Sequence, residues 1–217
     1  MDNETLLLVA ITIAAFAVII AVAARYLIRS FKKARRDAVV FSINLNDKEE
    51  ERAAEFLKKV SFPIAFDVVV QHLGKERENY FIVSRKYAER AERELKDHWP
   101  GVSISMSHDY LIFHHGGFYD AFRVAIPEHE FGGHDISAVD LSKINEIGEG
   151  ALIRFFRDPG DKSADIKVLG MFSAPSERQL MEVESVVKKS FEGRKILKPR
   201  NKDEVFEAFN STEEIAV

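Results

Sequence analysis

The residues of this 217-residue chain most suited to chemistry lie in two neighbouring stretches. SHDYLIFHHGGFYDAF, residues 107–122, holds three histidines, two aspartates and a glycine pair, and HEFGGH follows at 129–134. Imidazoles and carboxylates at this density could bind a metal ion or exchange protons as a catalytic acid and base. The alternative is a polar joint between two folded parts, which would be exposed and rich in glycine.

The spacing of the histidines argues against a metal centre. A zinc site needs three or four ligands that converge on one point. His129 and His134 are five residues apart, whereas the metalloprotease pair is four apart on one helix face. His114 and His115 are adjacent, so they point to opposite sides of an extended chain. We therefore predict solvated loop histidines and no catalytic, cofactor-binding or metal-binding residue. A metal-dependent hydrolase that uses this histidine-rich loop is the alternative from the enzyme class.

Composition and missing motifs exclude several kinds of enzyme. The chain has no cysteine, which excludes disulfides, zinc–thiolate sites, iron–sulfur clusters and cysteine nucleophiles. No glycine-rich loop ends in Lys-Ser or Lys-Thr, so the chain has no Walker-type phosphate loop, and it has no Gly-x-Ser-x-Gly motif. We expect no cofactor and no enzymatic activity.

The charge balance opposes nucleic-acid binding. Of 31 Lys+Arg and 35 Asp+Glu, six basic and two acidic residues lie in residues 1–36. The other 25 basic and 33 acidic residues give residues 37–217 a net charge of −8. Phosphate backbones require clustered cations, so no nucleic-acid partner is expected. Base stacking on exposed strand aromatics remains an alternative, for which the candidates are Tyr80, Phe81, Phe155 and Phe156.

Residues 5–24, TLLLVAITIAAFAVIIAVAA, contain no charged side chain. At about 1.5 Å per residue, a helix of this length covers the roughly 30 Å of a bilayer core. A cleaved signal peptide is the alternative, but the leader is acidic, with Asp2 and Glu4, and the apolar run is long. We predict an uncleaved transmembrane helix.

The flanks of this stretch predict its orientation. Basic flanks stay on the cytoplasmic side of a membrane. We therefore predict a single-pass protein of the inner (plasma) membrane, with the N-terminus outside and the C-terminal domains in the cytoplasm. The membrane itself is then one partner. The basic residues that follow the span are Arg25, Arg29, Lys32, Lys33, Arg35 and Arg36.

The region after the anchor has the pattern of a two-layer α+β fold. Ala53, Phe56, Leu57 and Val60 recur at helical spacing, and Asn46 or Asp47 caps that helix. The order β-α-β-β-α-β is that of a ferredoxin-like unit, in which two helices cover one face of an antiparallel sheet. The predicted elements are strand 38–45, helix 47–60, strands 63–73 and 79–84, helix 85–99 and strand 102–108.

The same order then repeats. Asp135 is predicted to cap one continuous helix that ends at Gly148, and Pro175 to begin the next helix, which ends at Gly193. The second set of predicted elements is strand 119–126, helix 135–148, strands 151–158 and 164–174, helix 175–193 and strand 194–199.

The predicted fold class is therefore α+β, with an N-terminal transmembrane helix followed by two tandem ferredoxin-like units. The histidine-rich stretch falls between the two units, which favours the joint over the active centre. The predicted parts are the anchor with its basic flank at 1–36, unit 1 at 37–110, a connector at 111–118, unit 2 at 119–200 and a tail at 201–217.

Such units leave one face of their sheet without helices. The strand PIAFDVVVQ is apolar on both sides, so this face needs a cover. The other unit, a second copy of the chain or a larger partner would each suffice, and an interaction role is therefore more natural than a catalytic one.

Three segments carry a resemblance to a known family: FDVVVQHLG, YFIVSRKYAERAERELKDHWPG and INEIGEGALIRFF. Residues 38–160 resemble the membrane-proximal N-terminal region of a prokaryotic family associated with type IV secretion or conjugation ATPases. The resemblance implies no catalytic residue. It implies protein partners, namely a P-loop ATPase or secretion subunits, besides the possibility of self-association.

Together these observations predict a membrane-anchored, non-catalytic adaptor or assembly subunit of a secretion or DNA-translocation complex. An alternative is a pilus or secretion assembly protein resembling PilN or PilO, with its domain outside the cytoplasm, which the basic flank opposes.

Overall fold

Seven strands form one antiparallel sheet in a computed structural model that describes residues 38–70, 77–107, 117–138, 140–147 and 150–199. The strands are β1 Ala38–Ile43, β2 Ile64–Val70, β3 Arg77–Ser84, β4 Ile104–Ser107, β5 Phe118–Pro127, β6 Gly150–Arg157 and β7 Asp165–Ala174. Their order in the sheet is β4-β1-β3-β2-β6-β7-β5.

Five α-helices accompany these strands within the described residues. A short 3-10 turn, Arg85–Tyr87, leads into the second helix. The helices are α1 Asp47–Lys59, α2 Ala88–His98, α3 Gly133–Ser137, α4 Leu141–Ile147 and α5 Glu177–Ser190.

The predicted fold class, two tandem ferredoxin-like units behind a transmembrane helix, is wrong. β2 and β6 pair along the whole length of β2, from Ile64 opposite Arg157 to Val70 opposite Ala151. Every residue of β2 is buried, and a strand that is buried on both faces needs a neighbour at each edge. β6 supplies the second neighbour, so the strands of both halves belong to one continuous sheet. The predicted boundaries 37–110, 111–118, 119–200 and 201–217 stay predictions.

The structure also contradicts the predicted single-pass placement in the inner membrane with cytoplasmic C-terminal domains. No helix among the described residues is long and apolar enough to cross a membrane. The longest of them, α5, has 14 residues, or about 21 Å of helix against the roughly 30 Å of a hydrocarbon core. The predicted span, residues 5–24, lies outside the described residues.

The predicted apolar stripe of α1 is confirmed. Asn46 is the cap: its Oδ1 accepts a hydrogen bond from the Glu49 N–H at 3.1 Å, and the Glu49 carboxylate accepts one from the Asn46 N–H at 3.0 Å. Phe56 is 3% exposed, and its ring lies 5.2 Å from Phe81 and 5.3 Å from Trp99. This aromatic group joins α1 to the sheet and to the end of α2, and it lies in the main core.

The predicted continuous helix over 135–148 is wrong, because two short helices, α3 and α4, occupy this region. Asp140 begins the second one: its Oδ1 accepts a hydrogen bond from the Lys143 N–H at 2.9 Å. Ile136 and Ile144 still reach the core, at 1% and 0% exposure. The apolar spacing was therefore informative, but the aspartate between the two isoleucines starts a new helix.

The last helix and the last predicted strand also differ from the prediction. α5 begins at Glu177 rather than at Pro175, and Ser176 is its cap, because the Ser176 Oγ accepts a hydrogen bond from the Gln179 N–H at 3.3 Å. The predicted final strand 194–199 is reduced to one isolated bridge, in which Leu197 exchanges two backbone hydrogen bonds of 2.8 Å with Arg123 of β5.

The face of the sheet opposite the main core, here called the second face, is buried rather than open. Its side chains form two further apolar clusters, and none of the central ones is more than 5% exposed. The centre of this face is therefore buried, although the described helices pack on the other side. The central residues of the second face are Ala65, Val69, Tyr80, Ile82, Ala121, Leu152, Phe156, Leu169 and Met171.

One ion pair lies inside the second face, at the seam between β2 and β6. Asp67 and Arg154 are opposite each other in the register of the two strands. The Arg154 Nε and Nη2 each donate to one carboxylate oxygen of Asp67 at 2.8 Å, and the side chains are 2% and 0% exposed. A slip of the strands by one residue would separate these charges inside the protein, so the pair fixes the register.

We predict that Arg154→Met lowers the free energy of unfolding by about 3 to 5 kcal/mol, because it leaves the Asp67 carboxylate buried without its guanidinium. The double variant Asp67→Leu/Arg154→Met should be more stable than Arg154→Met alone, since both charges are then replaced by apolar groups. Urea denaturation followed by Trp99 fluorescence measures both values. A double variant less stable than the single one would contradict the structural role of this pair.

Candidate functional site

The HEFGGH segment is a structural joint between β5 and α3. The N–H groups of Glu130 and Phe131 both donate to the Pro127 carbonyl, at 2.9 and 3.0 Å, which turns the chain tightly. Phe131 is only 1% exposed, and its ring lies 5.8 Å from that of Phe155 in β6. An aromatic anchor in the core thus holds the centre of the segment.

Asp135 is the polar centre of this joint. Gly132, and not Asp135 as predicted, is the N-cap of α3; the Asp135 Oδ2 accepts a hydrogen bond from the Gly132 N–H at 2.9 Å and so helps to cap this helix from its third position. The Asp135 Oδ1 accepts one from the Arg194 Nη2 at 2.7 Å, and the side chain is 6% exposed. One buried carboxylate therefore ties the start of α3 to the chain that follows α5.

One glycine of the pair, Gly133, is required by close packing. A Cβ atom on Gly133 would lie 2.8 Å from both the Cβ and the carbonyl oxygen of Glu51, so only glycine lets α3 approach α1 this closely. A Cβ atom on Gly132 would meet only the imidazole of His134, and that side chain is 73% exposed.

The histidines of this segment face solvent. The side chains of His129 and His134 are 82% and 73% exposed, and each lies near a different carboxylate, Glu130 at 3.7 Å and Asp135 at 3.3 Å. In the part of the chain that the structure describes, no three His, Asp or Glu side chains are grouped to hold a metal ion. His114 and His115 belong to the segment 108–116, which lies outside the described residues.

The aromatics considered for base stacking are core residues. Tyr80 and Phe81 are 5% and 0% exposed, and Phe155 and Phe156 are 1% and 4% exposed. None of these four rings is exposed for stacking on a base.

The buried carboxylates act as connections between elements. Among the described residues each of the four has a basic partner on another part of the chain, which satisfies a charge that would otherwise be costly to bury. The arrangement assigns these acids a scaffold role. The pairs are Glu50 with Arg77, Asp67 with Arg154, Asp120 with Lys198, and Asp135 with Arg194.

Sequence reasoning missed the first of these pairs. Glu50 is 3% exposed, and its carboxylate accepts hydrogen bonds from the Nε of Arg77, at 2.7 Å, and from its Nη2. Burial raises the pKa of Glu50 above its ordinary value, and the Arg77 guanidinium opposes that shift. The signal was available, because Glu50 stands three residues before Ala53 and seven before Leu57, on the apolar stripe of α1.

Sequence reasoning also missed His98, the last residue of α2. Its ring lies 5.3 Å from Phe56 and 4.4 Å from Trp99, and its Nε2 is buried without a hydrogen-bond partner among the described residues. Burial lowers the pKa of His98, and the nearby Arg52 guanidinium, which donates to the His98 carbonyl at 2.6 Å, lowers it further.

We predict that Gly133→Ala lowers the free energy of unfolding by about 1 to 3 kcal/mol, because its methyl group overlaps the backbone of α1. Gly132→Ala is the matched control and should cost less than about 1 kcal/mol, since the His134 side chain can rotate into solvent. Thermal melts of the two variants give the comparison. Equal losses would contradict the close contact between α3 and α1.

We predict that His98 makes the fold sensitive to acid. The pKa of His98 is lower in the folded chain than its ordinary value of 6.5, so below that pH the unfolded chain binds more protons than the folded one. Stability from this group is complete above about pH 6.5 and falls as the pH drops toward the folded pKa.

His98→Phe keeps the ring contacts and removes the titration. The stability of the parent chain relative to the variant should therefore decline from about pH 7 to about pH 5 in urea titrations. A difference between the two proteins that does not change with pH would contradict the burial of this imidazole.

Comparison with known proteins assigns no family to this arrangement. No model of a known protein family matches the chain, and a search among curated proteins finds no match either. The resemblance of residues 38–160 to a family associated with secretion ATPases therefore stays a prediction.

Proposed function

We propose that this chain is a non-catalytic assembly subunit that joins a multiprotein complex of the secretion or DNA-translocation type. The observation that carries the proposal is the edge strand β4. β4 lies at one edge of the described sheet and pairs there only with β1. Its Met106 is 50% exposed.

An edge strand is a natural place for a partner chain to bind. Its outward N–H and C=O groups can pair with an extended segment of another protein, which adds a strand to the sheet. β4 has the sequence ISMS, without the charges or proline that usually protect an edge. The exposed thioether of Met106 adds an adaptable apolar contact at the centre of this strand.

The two edges of the sheet differ, which supports β4 as the binding edge. At the other edge, β5 is bridged by Leu197, whose N–H and C=O are both bonded to Arg123 at 2.8 Å. Among the described residues no strand pairs with the outer side of β4. A partner strand would thus add at β4 without displacing any segment that the structure describes.

The kind of partner follows from the resemblance and from charge. β4 lies within residues 38–160, which resemble a region that accompanies P-loop ATPases in secretion or conjugation systems. Residues 37–217 have a net charge of −8, and an acidic subunit binds fastest to a partner that presents a basic surface. We therefore propose a P-loop ATPase or another secretion subunit as the partner.

The test is a binding measurement with a P-loop ATPase encoded beside the gene for this chain. Purified full-length proteins are mixed, and the affinity is measured by calorimetry. Met106→Lys should weaken binding at least about tenfold, because it places a charge in the proposed strand contact.

Met181→Lys is the matched control, since Met181 is 59% exposed on α5 and not on β4. It should bind within about twofold of the parent chain. No binding of the ATPase by the parent chain, or equal weakening by the two lysine variants, would overturn the proposal. A β4-dependent dimer of this chain in place of the ATPase complex would also overturn it.

A further inference from the structure

The chain between β4 and β5 must join opposite edges of the sheet. β4 ends at Ser107 and β5 begins at Phe118. These two strands are the first and the last in the order of the seven. Residues 108–116 lie outside the described part of the chain. Because the strands at both ends of this segment are placed, they limit the path that it can take.

The segment must also connect opposite ends of these strands. When the strand pairings are followed across the sheet, Ser107 is level with Ala125 of β5, and Phe118 stands seven residues before Ala125. Six strand spacings of about 4.8 Å and seven residue steps of about 3.3 Å give a diagonal of about 37 Å. The eleven residue steps from Ser107 to Phe118 reach at most about 40 Å. The segment therefore has almost no length to spare.

Only the second face allows a path this short. The opposite face carries the described helices and the main core, and a helix layer is about 10 Å thick. A route over these helices would add about 20 Å to the diagonal. A route around the ends of the strands would follow both sides of the rectangle, about 52 Å. Both routes exceed the reach of the segment.

The buried residues of the second face follow the same diagonal. Four of them, one on each inner strand that the diagonal passes after β1, are at most 5% exposed and belong to one apolar cluster. Val40 of β1 and Tyr119 of β5, which extend the line toward the two edges, pack against this cluster. The described helices lie on the other side, so a different part of the chain must exclude water here. In order, the four are Tyr80 in β3, Val69 in β2, Leu152 in β6 and Met171 in β7.

We propose that the second face is the docking surface for residues 108–116 of the same chain, which cross it along this diagonal. The sequence of the segment suits this path. Its middle is the apolar run YLIF, residues 110–113, whereas Asp109 and the histidines stand toward its two ends. The apolar run would then lie over the buried centre of the face, and the polar residues would lie nearer the edges, where water can reach them. This role is independent of the assembly role proposed for β4.

Nuclear Overhauser contacts between methyl groups of the full-length chain test the proposal directly. Methyl groups of Leu111 or Ile112 should show contacts with those of Val69 and Leu152 on the second face. Contacts with the methyl groups of Leu57, on the helix side, would overturn the proposal. The absence of any contact between the segment and the second face would also overturn it.

A second experiment tests the limit of length. Deletion of His114 and His115 leaves nine residue steps, which reach about 32 Å at most and fall short of the diagonal. The melting temperature should fall by at least about 10 °C, because β4 or β5 must leave its place in the sheet. The matched control, His114→Ser/His115→Ser, keeps the length and should melt within about 4 °C of the parent chain. Equal melting temperatures for the two variants would overturn the proposal.

Discussion

The pairing of β2 with β6 is the constraint on which the rest of the structure depends. It places the Asp67 carboxylate and the Arg154 guanidinium opposite each other, almost without exposure to water. Burying these charges apart would cost several kcal/mol each, so only the observed register is acceptable. Through this seam the β4-β1-β3-β2 half and the β6-β7-β5 half become one sheet, with one main core on the helix side.

Contacts between distant parts of the chain also explain the residues whose types suggested a catalytic or metal site. Asp135 holds the start of α3 to Arg194, Glu50 holds α1 to Arg77 of β3, and Gly133 lets α3 touch α1. Each of these groups joins parts of the chain that are distant in sequence. The two histidines of the HEFGGH segment face solvent.

Local sequence patterns predicted most of the individual helices and strands, because apolar periodicity and helix caps depend only on residues that are close in sequence. The stripe of Phe56 and Leu57 and the cap at Asn46 are examples. The single sheet could not be predicted in the same way. β2 and β6 are about ninety residues apart, and no local sequence pattern indicates that they pair. The break between α3 and α4 was missed because the apolar spacing runs through Asp140, whose capping role competes with it. The sequence places Glu50 and His98 next to apolar positions. Their buried contacts, with Arg77 and with the rings of Phe56 and Trp99, depend on the tertiary structure.

The central claim is that the β2–β6 seam makes the described strands one cooperative unit. Hydrogen exchange of the full-length chain tests it most directly, through the amides of Phe81 in β3 and Val168 in β7, which lie on opposite sides of the seam. The account predicts that both amides exchange through the same global opening, with equal free energies and equal dependence on denaturant. A lower opening free energy for β7 alone, with its own smaller denaturant dependence, would contradict it.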